Sequence, residues 1–364
     1  MRRINYLGFA AAAVSALAMS CSTPPDTDGG TEAGADVQTM EQTYTFVIDQ
    51  LAIDPTDNPD QPHTGFNLDN LFSSDIDPMG CAHADYYSQY DQDQHCSAVT
   101  NEMCTTTPNT GCARTASGCH GGVDNQLPTL ANTIQTAANT DIRMTLSDTI
   151  TQNKLALIVR VTHVNDPMND DSIRVAIYRA FPTFTTGCTS VTGGREYTID
   201  SSFLTGGTDV DANANVAFDG RIVNGRIQVA AGGTGGLFNL PISFSGFNIN
   251  LPLHQVQMRA NLTTGASGEL ASGSLGGWVG GDDVIMAVAM LAPDYVTVVR
   301  SVIGGLVDIQ IMGICDGSSM NPARYGGISV GLGIHAVPAT ISTTTPSAAA
   351  QAAGTSGYAT PDGG

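Results

Sequence analysis

The chain has 364 residues with 34 acidic side chains against 14 Lys and Arg, so its net charge is −20 at pH 7. A field of this sign repels phosphate backbones and anionic headgroups, which argues against a nucleic-acid partner. Beyond the first 20 residues no apolar run reaches the length of a membrane-spanning helix, so we expect the body of the protein to be soluble.

The N-terminus has the pattern of an export signal. A pair of arginines precedes an apolar run from Leu7 to Met19, and Ser20 then precedes Cys21. A basic start, a short apolar stretch and a small residue before the cut site are typical of secretory signals. A cysteine directly after that small residue resembles the lipobox of bacterial lipoproteins. The resemblance implies that residues 1–20 are a signal peptide and that Cys21 is lipidated; an ordinary secretory signal cut nearby is the alternative.

The composition of the two segments that flank the body predicts that both are disordered. Residues 21–43 are acidic and rich in Pro, Gly and Thr, which is typical of a flexible tether, and residues 340–364 form a similar tail without the charge. The serine that follows Cys21 resembles the usual signal for sorting to the outer membrane. We therefore expect an outer membrane lipoprotein, periplasmic or surface-facing, that contacts the membrane through its N-terminal lipid.

Seven further cysteines are disulfide candidates, because exported proteins oxidise their thiols. An odd number leaves at least one thiol unpaired, and spacing does not determine connectivity. We favour a bridge between Cys188 and Cys315 with two bridges inside a cysteine-rich loop region, which together with an N-terminal strand occupies residues 44–126. The candidates are Cys81, Cys96, Cys104, Cys112, Cys119, Cys188 and Cys315.

Residues 127–339 predict a β-rich body. Ile173, Val175 and Ile177 alternate with polar or small residues, and Asn224-Gly225 is a strong signal for a tight hairpin. Two more strands are expected within Asn248–Leu262. The other predicted strands are Leu155–Val164, Ile173–Phe181, Glu196–Asp200, Arg221–Val223, Arg226–Ala230, Ile242–Phe244 and Glu269–Val279.

Helices are predicted near 128–138 and 282–306. Asp282 and Asp283 are suited to cap the first turn of a helix, and the apolar residues that follow recur at spacings of three and four. The segment 141–150 fits a helix or a strand equally well. Many short strands, 41 glycines and few helices favour a mainly β fold, a jelly-roll-like β-sandwich with a few added helices.

Oxygen ligands in three separated segments suggest a calcium site. Asp69, Asp85, Asp124 and Asn125 carry the hard donors that Ca²⁺ prefers, and a shared ion would pin the cysteine-rich loop region to the body. The alternative is that they are turn and helix-capping residues on an acidic surface. We identify no catalytic residues.

Several short motifs together resemble a group of bacterial lipoproteins to which no activity is assigned. They are Gly65-Phe66-Asn67-Leu68-Asp69, Gly122-Val123-Asp124-Asn125-Gln126-Leu127, the turn around Asn165-Asp166, Ile328-Ser329-Val330-Gly331-Leu332-Gly333 and Ala336-Val337-Pro338-Ala339. The resemblance implies one shared architecture over most of the body and assigns no function.

Three functions fit these features. The favoured one is a non-catalytic, envelope-anchored binding or adhesion module for a glycan, a polymer or an envelope protein, because large loops on a rigid sheet suit that role. The alternatives are a purely structural envelope component and a hydrolase that uses a pair of carboxylates. The chain is more consistent with a protein that is not an enzyme.

The lipid anchor leads to the first testable prediction. Replacing Cys21 by Ala removes the acylated thiol, so the protein should move from the membrane fraction to the soluble fraction when cells are fractionated. The matched control is Ser22→Ala, which leaves the thiol in place. A Cys21→Ala protein that still sediments with membranes would show that the anchor lies elsewhere.

Overall fold

The computed structural model describes residues 41–342, except 56–61, 67, 69–86, 89–122, 139–140, 152–154, 184–190, 192, 208, 230–237, 245–246, 265–267, 292–295, 310 and 312–324. The chain divides into two units, Met1–Val37 and Gln38–Gly364, and all described residues belong to the second.

Twelve strands and four helices lie within the described residues. The strands are β1 (Gln42–Ala52), β2 (Pro62–His63), β3 (Tyr87–Ser88), β4 (Ala156–Val164), β5 (Asn169–Pro182), β6 (Arg195–Ile199), β7 (Ala217–Val223), β8 (Arg226–Val229), β9 (Phe238–Phe244), β10 (Phe247–Leu262), β11 (Leu270–Gly280) and β12 (Gly327–Ile341). The helices are α1 (Leu127–Ala138), α2 (Ile142–Thr151), α3 (Gly281–Leu291) and α4 (Val296–Ile303).

Eight of the strands close into a barrel. Their order around the ring is β1, β4, β5, β7, β8, β10, β11 and β12, and β12 pairs back onto β1. All eight pairings are antiparallel. Each of these strands has a partner on both sides, so the ring has no free edge.

The sequence-based prediction of a mainly β fold with few helices is confirmed, but the predicted sandwich is wrong. A sandwich and a barrel place apolar side chains at the same period of two, so alternation does not distinguish them. The difference lies in the pairings of β1 with β12 and of β5 with β7, which close the strands into a ring.

Side chains that point into the barrel form its main apolar core. The predicted alternation in β5 is confirmed, because Ile173, Val175 and Ile177 are almost fully buried in this core. The opposite face of β5 is covered as well. Tyr178 packs there in a second buried cluster with Tyr197 and Ile199 of β6. The short strand β6 therefore lies against the outside of the barrel and pairs in parallel with the end of β12.

The predicted helices are confirmed, and the ambiguous segment 141–150 is helical. Asp141 stands just before α2, and its carboxylate accepts hydrogen bonds from the backbone N–H of Arg143 at 2.9 Å and of Met144 at 3.4 Å. Such capping satisfies donors that a helix start leaves unpaired. Leu146 and Ile150 then bury one side of α2 in the main core. No helix in the described part of the chain is both long and apolar enough to cross a membrane.

Two segments cross the outer face of β11 and β12, and glycines in these strands leave space for them. One segment contains Thr64 and Phe66, and the other contains Asp124 and Asn125. The backbone N–H of Asp124 donates to the carbonyl of Phe66 at 2.9 Å, which joins the two segments to each other. A Cβ atom at Gly331 would overlap the carbonyl oxygen of Thr64, and one at Gly276 would lie 2.7 Å from the Phe66 ring. The crossing segments therefore rest directly on the strand backbone.

This close approach predicts a stability cost for one methyl group. Gly331→Ala should lower the free energy of unfolding by about 1–3 kcal/mol, the usual cost of overpacking a tightly filled site. Chemical denaturation measures the change. Gly304→Ala is the matched control, since a Cβ there meets nothing nearer than the Tyr325 ring at 3.7 Å. Equal stability of the two variants would contradict a tight crossing at Gly331.

Candidate functional site

Two of the predicted calcium ligands lie where the segments cross the barrel, and both cross-link the fold. The Asp124 carboxylate accepts a hydrogen bond from the backbone N–H of Leu68 at 2.6 Å. Asn125 is fully buried; its amide nitrogen donates to the carbonyl of Thr64 at 2.6 Å, and its oxygen accepts from the N–H of Gly331 at 3.0 Å. Asn125 thus binds one crossing segment to the other and to the wall of the barrel.

Neighbouring carboxylates belong to the same network. Asp54 accepts from the backbone N–H of Thr64 at 2.8 Å and from the Asn125 amide at 3.1 Å. Asp308 accepts from the backbone N–H of Ser329 at 2.8 Å and from its hydroxyl. These polar groups satisfy one another beneath the surface, which is the ordinary condition for burying them.

The remaining predicted site residues lie outside the described part of the chain. They are Asp69, Asp85, Cys21 and the seven disulfide candidates. Within the described residues, no group of three or more His, Cys, Asp or Glu is placed to hold a metal ion. Since half of the proposed calcium ligands fall outside, calcium binding stays a prediction, as do the lipid anchor and the disulfides.

A different group of side chains forms an exposed site on the outside of the barrel. The rings of His254 in β10 and Trp278 in β11 stack with centroids 4.2 Å apart and planes 14° from parallel. The two residues are direct cross-strand partners, and β10 bulges just after His254, where Gln255 has a φ of 49°. Both side chains are partly exposed. The bulge therefore helps to set a flat aromatic pair on the surface.

Trp278 is held from beneath by apolar contacts. Its ring packs with the cluster of Phe66, Leu68 and Ile309, and a Cβ at Gly327 would lie 3.1 Å from it. The indole N–H is buried, and it finds no hydrogen-bond acceptor among the described residues. A buried indole donor usually has a partner, whereas this one is unsatisfied within the described part of the chain.

Asp283 supplies a carboxylate beside the aromatic pair. Helix α3 begins directly after β11, which places Asp283 in its first turn, close enough to His254 to interact electrostatically. Burial raises the pKa of Asp283, with a smaller opposing effect from His254 and a further rise from Asp282. Burial likewise lowers the pKa of His254, which Asp283 partly offsets. Both groups are thus biased toward their neutral forms.

The exposed site continues along the outer face of β10. Gln257 and Arg259 point outward, since Met258 between them is buried in the core. Gln257 stands opposite Gly276, and the guanidinium of Arg259 lies 5.2 Å from the centre of the Phe66 ring. We define the outer-face patch as His254, Gln257, Arg259, Trp278 and Asp283. It combines flat apolar rings with hydrogen-bonding groups of both kinds.

A second histidine with acidic neighbours lies elsewhere on the barrel. The Nδ1 atom of His335 lies 2.6 Å from a carboxylate oxygen of Asp49, and its Nε2 atom lies 3.5 Å from one of Glu269. Both ring nitrogens therefore face carboxylates. His335 links β12 to β1 and to the residue before β11, and we assign it a structural role.

Sequence reasoning missed the outer-face patch. Asp283 was expected only as a helix cap, and Trp278 only as part of the predicted strand 269–279. One signal was available, because Trp278 is the only tryptophan in the chain. Its pairing with His254 depends on strand register and on the bulge, neither of which the sequence reveals.

The burial of His254 predicts a pH dependence of stability. A pKa lowered in the folded state means that the unfolded chain binds more protons as the pH falls through about 6.5, so acid should destabilise the fold in that range. His254→Gln should make the melting temperature fall less steeply between pH 7.5 and 5. His163→Asn, at an exposed histidine, is the control. An unchanged slope in His254→Gln would contradict the prediction.

No family model matches this chain, and neither a curated protein nor a solved structure does. The expected resemblance to bacterial lipoproteins therefore stays an expectation.

Proposed function

We propose that this protein is an envelope-anchored, non-catalytic lipoprotein whose barrel binds a carbohydrate polymer at the outer-face patch. The observation that carries the proposal is the partly exposed stack of His254 and Trp278, with the Asp283 carboxyl group beside it. A sugar ring has an apolar face of C–H groups and a rim of hydroxyls. Such a ligand matches a flat aromatic surface bordered by donors and acceptors.

The preorganisation of the patch supports binding to a polymer. Trp278 is fixed by packing from below and by the stacked His254, so little side-chain entropy is lost when a ligand arrives. The patch also extends along β10 from His254 to Arg259, which lie five positions apart. At about 3.3 Å per residue, this row is long enough to contact more than one sugar unit.

Binding is favoured over hydrolysis by the placement of the carboxylates. A glycosidase needs two carboxyl groups on opposite sides of the bond that it cleaves. Among the described carboxylates, the outer-face patch contains Asp283, and its neighbour Asp282 in the same helical turn accepts from the backbone N–H of Tyr325 at 3.4 Å. A purely structural role is the other alternative, and the partly exposed stack of His254 and Trp278 favours binding over it.

The anchor and the loops complete the proposal. Cys21 would carry the lipid, and the acidic segment 21–43 would hold the barrel away from an outer membrane, facing the periplasm or the cell surface. Disulfides among the seven candidate cysteines would constrain the loop region, with calcium at Asp69, Asp85, Asp124 and Asn125 as a further tie. Asn125 Oδ1 already accepts hydrogen bonds from the backbone N–H groups of Leu127 and Gly331, so an ion bound there would have to displace one of them.

The proposal predicts that oligosaccharides change the fluorescence of Trp278. Full-length protein in detergent is titrated with a panel of neutral and acidic hexasaccharides, and the emission reports on one site because the chain has a single tryptophan. At least one sugar should shift the emission in a saturable manner. Reducing-end assays on the same samples should detect no new ends over hours.

Variants then locate the site by calorimetry. Asp283→Asn removes the acidic group while keeping the shape, and Trp278→Phe removes the indole N–H and part of the aromatic surface, so each should weaken binding by about tenfold. The charge-matched control is Asp148→Asn on the exposed side of α2. If no sugar alters the emission, or if both variants bind as tightly as the wild type, the patch is not a carbohydrate site. Newly formed reducing ends would show that the sugar is cleaved, and they would instead support the alternative that the protein is a hydrolase.

A further inference from the structure

Next to the outer-face patch, arginines collect on three adjacent strands. Arg221 of β7, Arg226 of β8 and Arg259 of β10 all point outward, because the residues between them along each strand are buried. The whole chain has only 14 Lys and Arg and a net charge of −20. A local concentration of guanidinium groups on so acidic a protein calls for a specific explanation.

Strand register brings these arginines close together. Arg221 stands opposite Gln228, and Gln228 stands opposite Arg259 on its other side. Arg226 stands two residues from Gln228 on the same face of β8. Arg226 is therefore a diagonal neighbour of each of the other two arginines, at a Cα separation of about 7–8 Å, within the reach of long side chains.

Neutral amides, rather than carboxylates, orient two of the guanidinium groups. The Nε atom of Arg221 donates to the side-chain oxygen of Gln228 at 3.1 Å, and the Nε atom of Arg226 donates to that of Asn261 at 3.1 Å. Among the ion pairs of the described residues, none includes Arg221 or Arg226. The amides fix each side chain without neutralising its charge. The two terminal nitrogens of each guanidinium can then grip an anion in a planar fork.

Among the described residues of β7, β8 and β10, Asp219 is the one acidic side chain, and Asp170 and Asp171 lie on β5, which pairs with β7. Asp219 is exposed two residues before Arg221 and stands opposite Arg174 of β5. The balance of charge on β7, β8 and β10 is thus positive, although the protein as a whole is strongly negative. We call Arg221, Arg226 and Arg259 the arginine face. Along β10, Gln257 lies between Arg259 of this face and His254, the partner of Trp278.

We propose that the polymer bound by this protein is an acidic polysaccharide whose carboxylate groups are held by Arg221 and Arg226. The assignment rests on the proposed carbohydrate function, because it places the sugar rings on the patch at Trp278 and the carboxylates of neighbouring units on the arginine face. Arg259, which lies between the two regions, would contact both. A polyuronate has this chemistry, with one carboxylate on each sugar ring.

The test compares two forms of one polymer. Full-length protein in detergent is titrated by calorimetry with oligogalacturonate and with the same oligomer after methyl esterification, which removes the charge and keeps the backbone. The acidic form should bind at least tenfold more tightly. Arg221→Gln combined with Arg226→Gln should weaken binding of the acidic form by about 100-fold, since each charge-assisted contact is worth roughly tenfold, and should leave binding of the ester unchanged.

Controls separate charge in general from charge at this site. Arg300→Gln removes the same charge from the exposed side of α4 and should bind as the wild type does. Polyphosphate of equal charge and vesicles with anionic lipid should bind weakly and leave the Trp278 emission unchanged, because neither presents a sugar ring.

The outcomes distinguish the two proposals. Equal binding of the acid and the ester, or unchanged binding in the double arginine variant, would overturn the acidic specificity while leaving carbohydrate binding intact. Equally tight binding of polyphosphate or of the vesicles would also overturn the acidic specificity, since the arginine face would then bind any anion regardless of a sugar ring. If no oligosaccharide, acidic or neutral, shifts the Trp278 emission, the carbohydrate function fails as well.

Discussion

The buried amide of Asn125 is the interaction on which the rest of this surface depends. It bonds to Thr64 in one crossing segment, lies itself in the other, and bonds to Gly331 in the barrel wall. Each of these groups would be costly to bury without a partner, so the three elements are stable only together. Because Phe66 follows two residues after Thr64, the same amide fixes the ring that lies near Arg259 and packs with Trp278. The buried hydrogen bonds of Asn125 therefore help to position the residues of the outer-face patch.

Local structure was largely predictable from the sequence, whereas closure of the sheet was not. The Asn224-Gly225 hairpin and the alternation in β5 follow from short-range chemistry, and the structure has both. Asn248–Leu262, expected to contain two strands, lies within the single strand β10, because a bulge at Gln255 lets one strand bend without breaking. The pairing of β1 with β12 joins the two ends of the fold, and no local signal encodes it.

The site residues, like the fold, could be predicted only where local sequence defines them and not where long-range strand pairing brings them together. Asp124 and Asn125, which the sequence predicts as calcium ligands, form hydrogen bonds that connect separated segments, and calcium binding there stays a prediction. His254 and Trp278 meet only through the register of two strands, and Asp283 joins them because α3 starts where β11 ends. The arginine face was missed for a related reason. Arg221, Arg226 and Arg259 are scattered in the sequence, and overall charge gave no hint of a positive region.

The pairing of β1 with β12 also constrains how the protein is made. A chain that emerges with its N-terminus first presents β1 long before its partner exists, and contacts as distant as that between Asp49 and His335 span 286 positions. Closing so large a loop is slow, and until it closes β1 exposes backbone groups that can pair with other chains. The barrel therefore cannot be completed until β12 has been released. Folding of this protein should benefit from a holding chaperone that shields β1 until β12 arrives.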